Sequence, residues 1–82
     1  MEFDEIKQII RQGIPDAQVE ITDLTGGNDH LGISVASDLF EGKMLLTQHR
    51  MVMDLLKGPL AGDLHAVKIK TTTIKQKRSD HE

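Results

Sequence analysis

Residues 25–52 read TGGNDHLGISVASDLFEGKMLLTQHRMV. From residue 31 the apolar side chains Leu31, Ile33 and Val35 alternate with Gly32, Ser34 and Ala36, the two-residue period of a strand with one buried face. The glycines and asparagine just before tolerate positive φ and mark a turn. Ser37 and Asp38 suit the cap of a short turn over Leu39, Phe40 and Glu41, which Gly42 breaks. From about Lys43 to Lys57 the period lengthens to that of a helix. Its apolar stripe is Leu45, His49, Val52 and Leu56, widened by Leu46, Met53 and Leu55. Gly58 and Pro59 end it. A strand thus feeds a helix across a tight break, and the rest of the chain must fit around that unit.

Upstream, Phe3, Ile6, Ile9 and Ile10 recur at spacings of three and four over residues 3–12, an amphipathic helix with Gly13 and Pro15 as its stop. Residues 17–23 alternate again, with Ala17, Val19 and Ile21 facing one way. Paired across the glycine-rich turn with the strand at 31–36, they form a hairpin. Downstream, residues 65–72 place Val67, Ile69 and Thr71 on one face and Lys68, Lys70 and Thr72 on the other. The order is α-β-β-α-β, an α+β fold: a three-stranded mixed sheet with the helices packed on one face. The strand–helix–strand unit predicts a right-handed crossover between parallel strands. The 82 residues argue for one domain over residues 1–74, followed by a flexible basic tail over residues 75–82.

Composition narrows the chemistry. There is no cysteine, so the chain has no disulfide, no zinc–thiolate site and no self-sufficient cysteine-ligated iron–sulfur site. No apolar run approaches the ~18 residues of a membrane span. The start, MEFDEIKQ, lacks the cationic and apolar regions of a signal peptide, and a cytoplasmic setting is expected. Net charge is -3, yet Lys68, Lys70, Lys75, Lys77 and Arg78 cluster late in the chain, either to meet an anionic partner or as a solubilising terminus. No nucleophile elbow, Walker-type loop or dinucleotide fingerprint is present, and no enzymatic activity is assigned.

The histidines are more informative. Parallel strands start at the same sheet edge. His30 opens the second strand and His65 the third, so both are expected on one rim, bordered by the 24–29 loop, with Asp29 and Asp63 near in sequence to orient an imidazole. Two histidines are too few for a closed tetrahedral site but suffice for half of a shared one. The alternative is that both are ordinary polar strand-end residues. His49, on the helix stripe, reads as a partly buried packing residue, and His81 as a tail residue without a role.

The run SDLFEGKMLLTQHRMV (37–52), together with HAVKIKT (65–71), closely resembles the BolA-like family, and the similarity extends over about residues 3–73. The resemblance implies a type II KH-class fold. It also implies partnership with a monothiol glutaredoxin and a shared [2Fe-2S] cluster, in iron–sulfur trafficking or in iron and redox regulation. In such pairs the glutaredoxin gives its active-site cysteine and bound glutathione gives another thiolate. The BolA-like chain gives the histidine opening the last strand, here His65, and a residue of the hairpin loop, here His30, where some members carry cysteine. Imidazole in place of thiolate raises a cluster's potential and makes a ligand titratable.

Two other readings stand beside this one. KH-like domains bind single strands through a GxxG loop. The equivalent here is EGKM, with Gly42 present and Leu45 in place of the second glycine, while aromatic stacking platforms are missing. A nucleic-acid-binding regulator would use Gly42, Lys43, Arg50, Lys68 and Lys70. A metal-independent adaptor would dock its partner through Leu39, Phe40, Gly42 and the exposed part of the long helix, and partner contacts in general are expected at Phe40, Gly42, Lys43, His49 and Arg50. Homodimers at the histidine rim are a further option.

Overall fold

The computed structural model describes residues 3–26, 30–59 and 67–80. Helix α1 is Phe3–Gly13, strand β1 Gln18–Asp23, strand β2 Leu31–Ala36, helix α2 Leu45–Leu56, strand β3 Val67–Thr72 and helix α3 Ile74–Asp80. A 3₁₀ turn at Asp38–Phe40 joins β2 to the loop before α2. The sheet order is β1-β2-β3. β1 runs antiparallel to β2, with Ile21 opposite Ile33. β2 runs parallel to β3, with Leu31 opposite Val67 and Ile33 opposite Ile69.

Each element follows from its local chemistry. α1 buries Ile6 and Ile10. It stops because Ile14 precedes Pro15, which disfavours helical backbone, and the Ala17 N–H closes a turn onto the Ile14 carbonyl at 3.0 Å. Ile14 is itself buried. At Gly13 the helix runs so close to Leu55 that a Cβ would overlap its side chain. Ser37 caps the 3₁₀ turn by accepting the Leu39 N–H at 3.0 Å, and its hydroxyl donates to Asp16 at 2.5 Å. The second Asp16 oxygen accepts the Asp38 N–H at 2.9 Å. One carboxylate thus ties the α1–β1 turn to the end of β2.

The core lies between α1, α2 and one sheet face. Ile6, Ile10, Ile14, Ala17, Val19, Ile33, Val35, Phe40, Val52 and Leu56 are buried together, with Ile9, Ile21, Leu31, Met51, Leu55, Val67 and Ile69 packed around them. The opposite sheet face carries Glu20, Thr22, Gly32, Ser34, Lys68 and Lys70. Leu24 folds back over Gly32, where a Cβ would meet Leu24 Cδ2 at 3.3 Å.

Three expectations need correction. The residues after 74 were expected to form a flexible tail, yet Ile74–Asp80 form α3. Thr73 caps it, accepting the Gln76 N–H at 3.1 Å, and Lys77 reaches Glu20 on the second sheet face at 3.0 Å. The apolar stripe of α2 is buried only from its middle onward: Leu45 and Leu46 are 59% and 58% exposed. Leu45 lies about 10 Å along the axis from Val52, where it lines an open cavity with Ala36, Thr72 and Gln76 instead of closing on the core. Phe40, expected at a partner surface, is completely buried in the core.

Candidate functional site: the rim where β2 and β3 begin

The sequence places one of the expected ligands on a well-defined rim. Asp23 ends β1 by accepting the N–H groups of Thr25 at 3.3 Å and Gly26 at 3.0 Å, an Asx-type turn. Gly26 has φ +80°, which glycine adopts without steric cost. The Leu24 N–H then donates to the His30 carbonyl at 2.8 Å, closing the hairpin. The His30 backbone is fixed by that bond while its residue remains exposed. Its neighbour Leu31 pairs with Val67, so β2 and β3 are adjacent and about 5 Å apart. The strand starts therefore meet, as the parallel crossover required. His65, Asp29 and Asp63 lie outside the described residues, as does His81.

The remaining candidates are elsewhere. Gly42 and Lys43 are exposed in the loop that follows the other end of β2, about 20 Å from its start at the usual rise per residue, and Arg50 is exposed more than a turn into α2. Gly42 has φ +77° with nothing near a hypothetical Cβ, so backbone conformation rather than space selects glycine there. His49 is half-buried, one turn into α2. Lys68 and Lys70 project from the sheet face opposite α2. Of the five residues expected to bind nucleic acid, Gly42, Lys43 and Arg50 lie on the loop before α2 and on α2, and Lys68 and Lys70 on β3, where Lys70 lines a cavity with Leu45 and Gln48 of α2.

Sequence reading missed Gln48, which organises the loop before α2. Its Nε2 donates to the carbonyls of Phe40 at 3.2 Å and Lys43 at 2.8 Å, and its Oε1 accepts the Thr71 hydroxyl at 2.8 Å. The only available signal was a polar residue beside the apolar stripe. Asp16 was missed as well. Its carboxyl is held below the ordinary value of 3.8, chiefly by the Ser37 hydroxyl and then by the Asp38 N–H, against a smaller upward push from burial.

Among the described residues no three of His, Cys, Asp and Glu gather closely enough to hold a metal ion, and no helix is long and apolar enough to cross a membrane. What the geometry defines is a small α+β domain with an exposed histidine at a strand-start rim. The chain belongs to the BolA-like protein family, whose model matches residues 6–76. It is 34% identical over 71 residues to an uncharacterised protein of Rickettsia prowazekii, across 87% of this chain and 92% of the relative. The NMR structure of that BolA-like protein superposes with a TM-score of 0.73 at 32% identity, covering 90% of this chain and 96% of the other. The solution structure of mouse BolA1 gives a TM-score of 0.81 at 29% identity, covering 96% and 70%. The Escherichia coli DNA-binding transcriptional regulator BolA is 35% identical over 51 residues, 62% of this chain and 49% of that one.

Proposed function

We propose that this chain is a non-enzymatic partner of a monothiol glutaredoxin, sharing with it and with glutathione a [2Fe-2S] cluster in cytoplasmic iron–sulfur trafficking or iron and redox regulation. The observation that carries the reading is the parallel pairing of Leu31 with Val67. The chain enters β2 directly after His30 and β3 two residues after His65. The donor set fits half of a shared cluster. The chain has no thiolate of its own, so thiolates come from the partner and glutathione, and His65 with His30 would supply the imidazole side. When bound, the cluster supplies one-electron redox chemistry and transferable iron and sulfide. The chain's own part is to present exposed imidazole from a backbone fixed by the Leu24–His30 bond.

The test is co-expression with a monothiol glutaredoxin in the presence of glutathione and iron. The complex is expected to show visible absorption and circular dichroism that change in His65→Ala, and more modestly in His30→Ala. An unaltered spectrum in His65→Ala removes that residue as a ligand. A complex that forms equally without iron, and never becomes coloured, supports the adaptor reading instead.

Nucleic-acid binding is the second reading. Lys68 and Lys70 favour it, because both are exposed and neither has an acidic partner among the described residues. The E. coli relative's name points the same way. Binding that ignores sequence and vanishes at moderate salt would reflect bulk electrostatics alone.

A further inference from the structure

We propose that the pole opposite the histidine rim is a self-association surface, on which a second copy of this chain docks about a two-fold axis. At the start of α2, Met44, Leu45 and Leu46 are 76%, 59% and 58% exposed, and Leu39 in the preceding 3₁₀ turn is 46% exposed. These are four of the five large exposed apolar residues among those described. The Gln48 bonds to Phe40 and Lys43 hold the 3₁₀ turn and loop against the start of α2, so the four belong to one end of the molecule. Clustered exposed apolar residues of this kind mark interaction sites.

The surrounding charges select the occupant. Asp38, Glu41, Lys43 and Arg50 are all exposed, and among the described residues none has an ion-pair partner. With Asp16, whose carboxylate holds the Asp38 N–H, this pole carries three acids and two bases, so one patch presents both signs of charge. A two-fold contact brings the same patch to both sides and is satisfied only by a patch carrying both signs. Lys43 and Arg50 of one copy then face Asp38 and Glu41 of the other. A strongly acidic or strongly basic partner would match only half of the rim.

Sedimentation equilibrium of the full chain tests this. With rising concentration the wild type is expected to pass from monomer to dimer and no further. Asp38→Lys/Glu41→Lys and Lys43→Glu/Arg50→Glu each place like charges across the axis and are expected to weaken dimerisation about tenfold or more. Mixed in equal amounts, the two variants restore opposite charges at both contacts and form a heterodimer, read by native mass spectrometry. The heterodimer also shows that both variants are folded. A wild type that stays monomeric up to near-millimolar concentration overturns the proposal and leaves the patch to a different protein. So does a mixture that yields no heterodimer, or a variant that dimerises as well as the wild type.

Discussion

At the scale of one residue, Asp16 shows how much structure a short turn can hold. Pro15 ends the first helix and leaves Asp16 exposed in backbone terms, yet both carboxylate oxygens are used, on the Ser37 hydroxyl and the Asp38 N–H. Both donors favour the charged carboxylate, so its pKa lies below 3.8. As the pH falls, the unfolded chain takes up the proton before the folded one. The stabilisation is therefore complete above the ordinary value and is lost as the pH drops below it, through the folded-state value. Asp16→Asn is expected to lower stability at pH 7 and to flatten the acid limb below about pH 4. Urea melts of both proteins at pH 7 and pH 3 check this: the gap between them narrows at the lower pH. A gap that is constant across that range would mean that shape, not charge, is what Asp16 contributes. Ser37 makes the arrangement exacting, since it is fully buried and both donates to Asp16 and accepts from Leu39.

At the scale of elements, Gln48 is the corresponding fastener. Its three hydrogen bonds join the loop after β2, the first turn of α2 and the buried Thr71 of β3. Gln48→Leu fills similar space but leaves the Thr71 hydroxyl and the two carbonyls without this partner, a loss expected to cost about 1–3 kcal/mol. Thr71→Val added to it should cost little more, because the bond it would break is already gone. A double-mutant cycle by chemical denaturation reads that coupling, and strictly additive losses would show that the Gln48–Thr71 bond contributes nothing. This fastener also explains what was legible in the sequence and what was not. Strict alternation located β1, β2 and β3, and the 3.6-residue period located α1 and α2, because each depends only on which face meets the core. The same period predicted burial for Leu45 and Leu46 and failed, since periodicity gives direction around a helix axis but not where the opposing sheet ends. α3 was missed for a different reason. Seven mostly charged residues carry no apolar stripe, and a helix that short is marginal alone. Its Thr73 cap and the Lys77–Glu20 pair lie in polar chemistry that hydrophobic patterning does not register. Phe40 was expected at a docking surface, but it lies in the 3₁₀ turn with its side chain buried in the core.

At the scale of the whole molecule, the mixed sheet separates two poles. β2 carries His30 at its start, and the chain leaves its other end through Ser37 into the Leu39–Leu46 region, with the strand's length of about 20 Å between them. The strand-start adjacency behind the first pole was readable from topology, since a parallel crossover dictates it. The second pole was not, because the exposure of the first turn of α2 depends on how the neighbouring elements end, which helical periodicity does not report. A rigid sheet with no shared side chain between its ends gives no physical route for the charge pattern of one pole to alter ligation at the other, and distant independent sites behave additively. Lys43→Glu/Arg50→Glu is therefore expected to weaken self-association while leaving unchanged the visible circular dichroism of the proposed glutaredoxin complex. His65→Ala is expected to do the reverse, changing the spectrum while the free chain dimerises as before. Measuring both properties on both variants and on their combination decides the matter. If the Lys43 and Arg50 changes alone disturb the cluster spectrum, the glutaredoxin reaches across both poles, and the surface assigned to a second copy belongs to the heterocomplex instead.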